Sequence, residues 1–206
     1  MKTFEEVWAK RCDGWLSEPE AWLLWSTAKD CQGTILEVGC YTGRSTCLLA
    51  ELERDMIVVD PFGDFGLPNT TGDQALERWI ANVLALDALL HKNDDRSRQW
   101  LTRERLADDE RPVQTICLER RRVEDLQLDQ ESGFDTCYFA YLDGDHTRKG
   151  TLWQIFKALD AGATTIAVHD VNDVGGGAEV KGACLDLLGP WTDKVESLAV
   201  WKGVKV

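Results

Sequence analysis

Apolar residues follow two rhythms along this chain. Short apolar stretches at Ile35-Leu36 with Val38, Met56 to Val59, Val113 to Leu118, Thr136 to Leu142 and Thr164 to Val168 have the length and β-branched content of strands covered on both faces. Between them apolar residues recur three and four apart, the spacing of one helix face. This alternation predicts an α/β fold: one doubly wound, mostly parallel, seven-stranded sheet, with Val195 to Val204 supplying one or two closing strands. No repeat and no linker interrupts the pattern, so residues 1–206 read as a single domain.

Helix ends are marked by their caps. Thr3-Phe4-Glu5-Glu6 and Ser17-Glu18-Pro19-Glu20 both have the S/T-x-x-E form of a capping box. They predict N-terminal helices over residues 4–12 and 18–30, with Gly14 ending the first. Trp8, Trp15, Trp22 and Trp25 on this stretch either pack onto the sheet or form a partly exposed aromatic wall for a dimer or a substrate mouth. Further on, Thr147 caps a helix over residues 148–160 that Gly162 ends, and Gly175-Gly176-Gly177 leads into one ended by Gly189-Pro190.

Residues 63–112 depart from a minimal alternating fold. A turn-rich loop over 63–72 precedes a helix capped by Asp73, with Leu76, Trp79, Ile80, Val83 and Leu84 on one face. Asn93-Asp94-Asp95 breaks it, and a second, charged helix is expected to about residue 108. Roughly 25 residues therefore look like a helical insert after the second strand, either a surface excursion or a lid or partner arm.

The chemistry centres on Thr34 to Ala50, which reads as a buried strand, a glycine-bearing turn and a helix start. Gly39 allows a sharp turn and close approach to a ligand. Gly43, Arg44, Ser45 and Thr46 open a helix whose free N–H groups favour an anion. A dinucleotide fingerprint needs G-x-G-x-x-G, whereas here three residues separate Gly39 from Gly43, with Tyr41 where the second glycine belongs. Glu37, at the strand's carboxyl end, repels a pyrophosphate and suits the ammonium of an amino acid. Asp60 ends the second strand 21 residues after Gly39, the interval of an acid that binds a ribose hydroxyl. Of the three histidines, His146 and His169 fall at the ends of the fourth and fifth strands, in Asp143-Gly144-Asp145-His146 and His169-Asp170. Ligands in doubly wound sheets bind beyond these strand ends.

The run Glu37-Val38-Gly39-Cys40-Tyr41-Thr42-Gly43-Arg44-Ser45 resembles the turn of class I S-adenosylmethionine (SAM) methyltransferases, and more narrowly that of catechol O-methyltransferase-like enzymes. Asp60-Pro61-Phe62 resembles the segment that follows the second strand in one branch of them, where the residue after the acid contacts the adenosine. The resemblance implies cofactor contacts from Glu37, Gly39, Tyr41, Gly43, Ser45, Asp60, Pro61 and Phe62, with Glu124 or Asp125 facing the adenine and Asp143 adjoining the cofactor. It also implies a divalent metal on Asp143, His169 and Asp170. His146 stands where that family has a lysine general base, and its ordinary pKa of about 6.5 suits the task. A histidine among the ligands admits Mn²⁺ beside Mg²⁺, and Asp145 is either a further ligand or a partner of His146. Asp143-Gly144-Asp145-His146 and His169-Asp170-Val171 resemble still more closely the bacterial methyltransferases of antibiotic and sugar tailoring.

Composition narrows the partners. The net charge of −13 disfavours nucleic acid, so a small-molecule acceptor is expected. No apolar run reaches the ~20 residues of a membrane span, and the N-terminus lacks a signal peptide's apolar core. Seven cysteines without a C-x-x-C pair suit free thiols in a reducing cytoplasm rather than a zinc site. A homo-oligomer would form through the N-terminal helices or the 63–112 insert. The expected function is methyl transfer from SAM to a small-molecule hydroxyl. Its rivals are a non-catalytic binding or partner protein of the same fold and, disfavoured by Glu37 and Tyr41, an NAD-binding enzyme.

Overall fold

A computed structural model of the chain describes residues 2–63, 70–86, 89–91, 98–103, 114–126 and 137–205. Its centre is five parallel strands: β1 (Thr34–Val38), β2 (Met56–Val59), β5 (Gln114–Glu119), β6 (Cys137–Leu142) and β7 (Thr165–Val168). A closing hairpin of β8 (Asp193–Val195) and β9 (Leu198–Lys202) lies antiparallel beside β7. The order β5-β2-β1-β6-β7-β9-β8 is the expected seven-stranded sheet. The chain winds outward from β1 in one direction, then returns to lay β6 on the other side of β1. That reversal opens a crevice beyond Val38 and Leu142, which are register partners.

The strands are apolar because both faces are covered. On one face α1 (Phe4–Trp8), α2 (Glu18–Lys29), α3 (Arg44–Ala50) and α4 (Gly72–Leu84) pack around Leu24, Trp25, Leu49, Trp79, Phe139 and Tyr141. On the other, α5 (Arg148–Asp160) and α6 (Gly176–Leu188) pack against Leu36, Val38, Ile155, Ile166 and Trp201. Side chains alternate across a strand, so Glu37 points to the same side as Ile35, into the first of these cores. Trp79 is fully buried there and its indole N–H donates to Thr46 Oγ1 at 3.0 Å.

Both N-terminal capping boxes form, yet α1 closes at Ala9, and Gly14 does not end it. Gly14 instead lies against Arg44, where a Cβ would come within 2.7 Å of the Arg44 Cβ. The four tryptophans divide: Trp8 and Trp25 are buried, while Trp15 and Trp22 are exposed. Thr71, rather than Asp73, caps α4 through a reciprocal pair with Gln74. Where the second, charged helix of the insert is expected, the described residues 98–103 form a strand instead. β4 (Arg98–Arg103) pairs antiparallel with β5, and β3 (Leu89–His91) pairs with β4, extending the sheet to nine strands. Without them β5 would present an open edge of unpaired backbone groups, and that tertiary demand overrides local helix propensity. Asn93-Asp94-Asp95, most of the loop over 63–72 and residues 104–108 lie outside the described residues. Among those described, no helix is long and apolar enough to cross a membrane.

Candidate active site

At the end of β1 the chain turns through Gly39 with φ +82°. A Cβ at that position would lie 2.2 Å from the Asp143 carbonyl oxygen. The glycine is thus required by the sharp turn and by the close approach of the chain leaving β6, a constraint within the protein that the sequence did not reveal. Asp60, at the end of β2, binds this turn to itself. Its Oδ2 accepts the N–H groups of Cys40 at 2.9 Å and Tyr41 at 3.1 Å, and its Oδ1 accepts that of Phe62 at 2.7 Å. Burial pushes the Asp60 pKa up, against the pull of these three bonds. Tyr41 and Phe62 both have positive φ, +46° and +47°, a left-handed backbone that costs energy in a non-glycine residue unless its surroundings fix it. The Cys40 thiol is a further hydrogen-bond partner of this carboxylate. Pro61 is exposed and Phe62 buried.

Glu37 is fully buried behind the turn. Its Oε1 accepts the Ser45 hydroxyl at 2.5 Å, and its Oε2 has no hydrogen-bond partner among the described residues. Burial pushes this carboxyl up to about 8; the Ser45 and Thr46 hydroxyls oppose the rise, and the charges of Asp143 and Asp60 add to it. Gly43, at φ +94°, begins α3, and a Cβ there would lie 2.9 Å from the Trp79 ring. An unsatisfied buried acceptor is costly, and a ligand ammonium is the group that would satisfy this one.

The segment between α1 and α2 is tied over the turn. Arg44 donates to the carbonyls of Cys12 at 2.9 Å and Leu16 at 2.6 Å, and the Thr42 hydroxyl donates to the Asp13 carbonyl at 3.0 Å. These bonds set the Trp15 ring on Tyr41, stacked at 5.0 Å with 9° between planes, while Trp15 remains 68% exposed.

A second group gathers at the ends of β6 and β7. Asp143 Oδ2 accepts the Tyr141 hydroxyl at 3.0 Å, which leaves Oδ1 toward the histidines. His146 Nε2 stands 3.4 Å from Asp143 Oδ1 and 3.5 Å from Asp170 Oδ2. His169, nearly buried, places Nδ1 3.2 Å from Asp143 Oδ1 and 3.7 Å from Asp170 Oδ1. Burial alone would lower His169, but the hydrogen bonds to Asp143 and Glu20 push it to about 10. The Asp143 bond likewise raises His146. Burial would raise Asp143, yet the two imidazoles hold it below the usual carboxylate range. Asp143, His169 and Asp170 offer ligand atoms within 4.8 Å of one another, a spacing that one cation can bridge. The donor set, two carboxylates and an imidazole, fits a divalent ion of the Mn²⁺ kind.

Two predicted residues stand apart. Asp145 accepts the Thr147 N–H at 2.8 Å and packs on Gly150, so it opens α5 and is not among the three clustered ligands. Glu124 lies exposed on a short 3₁₀ turn, Val123–Asp125, with Arg122 Nη1 at 3.8 Å. One residue of the cluster was missed. Glu20 of α2 is buried and brings Oε2 to 3.3 Å from His169 Nε2. Its capping-box position gave it a sufficient local role in the sequence, which hid the longer-range one.

No family model and no curated protein matches the chain. Solved structures do. An O-methyltransferase from Bacillus cereus in complex with SAH aligns at TM-score 0.57 and 15% identity, over 97% of this chain and 90% of that one. The SAH-bound Podospora anserina methyltransferase PaMTH1 aligns at 0.55 and 14%, over 98% and 86%. CalS11, a TDP-rhamnose 3'-O-methyltransferase of calicheamicin biosynthesis, aligns at 0.55 and 16%, over 91% and 81%. The chain has the class I methyltransferase fold. Within this methyltransferase fold the glycine turn and the histidine cluster are two sides of one crevice, joined where Gly39 meets the backbone of Asp143.

Proposed function

We propose that the chain is a SAM-dependent methyltransferase acting on a hydroxyl of a small molecule, with a divalent metal held by Asp143, His169 and Asp170. The observation that carries this is the placing of His146 Nε2 3.4 Å from Asp143 and 3.5 Å from Asp170, at the switch point of a methyltransferase fold. Bound SAM supplies a methyl on a positive sulfur, and a bound divalent ion supplies charge that acidifies a hydroxyl. Glu37 would hold the ammonium of the methionine part through Oε2, the oxygen that the Ser45 hydroxyl does not engage. Asp60 shapes the turn and would accept a ribose hydroxyl; Tyr41 and Phe62 flank it. Asp143 orients His146 and raises its basicity. His146 would take the proton of the acceptor hydroxyl, whose oxygen would gain the methyl as the carbon–sulfur bond breaks and S-adenosylhomocysteine leaves; alignment of the two reactants would account for much of the acceleration.

The net charge of −13 supports a small-molecule acceptor rather than nucleic acid, and the seven free cysteines support a reducing cytoplasm. The test is calorimetric titration of S-adenosylhomocysteine and of Mn²⁺ or Mg²⁺, with NAD as control, followed by an acceptor screen. Micromolar binding of the homocysteine compound, and a metal isotherm lost in Asp143→Ala, would support the reading. Absence of homocysteine-compound binding under every condition would end it.

A further inference from the structure

We propose that Glu20 is a positioning residue for the metal site, holding His169 so that Nδ1 faces the gap between Asp143 and Asp170. This rests on the divalent-ion reading above. The chain contains an internal comparison. Glu6 and Glu20 hold the same position in two capping boxes, accepting the N–H of Thr3 at 2.8 Å and of Ser17 at 3.1 Å. Glu6 does this from an exposed position, so capping does not require burial. Glu20 is only 4% exposed and makes a further set of contacts. Its Oε1 accepts both the Ser197 hydroxyl at 2.6 Å and the Ser197 N–H at 3.0 Å, and its Oε2 lies 3.3 Å from His169 Nε2. A carboxylate taken out of water this far is tolerated only when its oxygens are matched.

The chemistry of those contacts assigns the imidazole's orientation. An ionised Glu20 only accepts, so the nitrogen facing it carries the hydrogen. Nδ1 is then the nitrogen that gives up its hydrogen when a cation binds, and it lies toward Asp143 and Asp170, the other two members of the cluster. Metal-binding histidines commonly donate their second ring N–H to a carboxylate, which fixes the tautomer and strengthens the ligand. Ser197, 3.3 Å from the same Nε2, closes the arrangement. Helix α2 thereby belongs to the site through Glu20, which contacts the ligand His169 and not the cation.

The experiment is titration of Mn²⁺, and of Co²⁺ followed by its visible absorption, into wild type, Glu20→Gln and Ser197→Ala. Glutamine keeps the capping box, so α2 retains its N-terminus while the charge is removed. Metal affinity should fall about 10- to 100-fold in Glu20→Gln, with a changed Co²⁺ spectrum, while binding of S-adenosylhomocysteine stays within a few-fold. Wild-type metal affinity in Glu20→Gln would overturn the assignment and leave the divalent-ion reading intact. No isotherm in wild type would overturn both. Should Glu20→Gln fail to fold, Ser197→Ala carries the test, and unchanged metal affinity there overturns the role.

Discussion

The two sides of the crevice treat their carboxylates in opposite ways. In the glycine turn Asp60 is taken up by three backbone N–H groups, and Glu37 is sealed behind Ser45 with one oxygen unmatched. In the cluster, Asp143 and Asp170 remain partly exposed and are faced by imidazoles. One side uses acids to fix a backbone shape, the other to gather charge around an open gap. The acids of the turn should therefore govern stability and cofactor affinity, and those of the cluster should govern chemistry and metal. Substitutions that cross this division would break the comparison.

The largest effect is expected at His146. His146→Ala should lower turnover by about 10²- to 10⁴-fold, the usual contribution of a general base, with homocysteine-compound affinity within a few-fold. Steady-state rates beside calorimetry would check it, and affinity falling in step with turnover would sink the assigned role. Because the Asp143 bond raises His146, the rate should climb with pH through a midpoint above the ordinary histidine value of about 6.5 in wild type, and at lower pH in Asp143→Asn.

Glu37→Gln should come next, with consequences of two signs. A folded pKa of about 8, above the unfolded carboxyl's, means the folded state holds the proton more tightly. The resulting stability is fully present below the unfolded pKa and is lost as pH rises through about 8. Removing the carboxyl should therefore raise the melting temperature at pH 8.5 and change it little at pH 4.5, a difference on the order of a few kcal/mol. The same variant should bind the homocysteine compound at least tenfold more weakly, because a neutral amide cannot pair with an ammonium. Wild-type binding at neutral pH should release up to about one proton, visible as a dependence of the calorimetric heat on buffer ionisation, and the variant should not show it.

What was legible in the chain follows the same division. The parallel strands were readable because burial on both faces leaves continuous apolar runs, and the glycine turn because Gly39, Tyr41 and Gly43 have a fixed spacing. His146 and His169 stood out as rare residues at strand ends. The β3–β4 hairpin was not readable, since its pairing answers the open edge of β5, a partner distant in sequence. Glu20 was hidden for a related reason: its local capping role is complete, and its second partner lies 149 positions later, at His169. A further demand on Gly39 was hidden because the atom a Cβ would meet belongs to the chain beyond β6, distant in sequence. Periodicity records which face of an element is covered, and not which atom will cover it.

Asp60→Asn should destabilise by roughly 2–3 kcal/mol, because the amide offers a donor where the turn presents its own N–H groups. Chemical denaturation would measure this, and the loss should appear whether or not metal is present. An effect that depended on metal would place Asp60 functionally with the cluster and dissolve the division argued above.

The smallest effect is expected at Trp15, and it bears on how the turn is held. Tyr41 has a left-handed backbone that Asp60 fixes from one side through its N–H, while Trp15 stacks on its ring from the other. Trp15 is too exposed for its removal to cost the core, so Trp15→Ala should leave stability within about 0.5 kcal/mol. An aromatic pair is worth about 0.5–1.5 kcal/mol beyond burial, so freeing the Tyr41 ring should weaken homocysteine-compound binding by about two- to tenfold. A double-mutant cycle of Trp15→Ala with Asp60→Asn distinguishes the two supports. If backbone and ring are held independently, the losses in affinity add. If the stack only secures a conformation that Asp60 already dictates, Trp15→Ala adds nothing once Asp60 is changed, and the N-terminal segment is then a cover over the turn rather than a part of its shape.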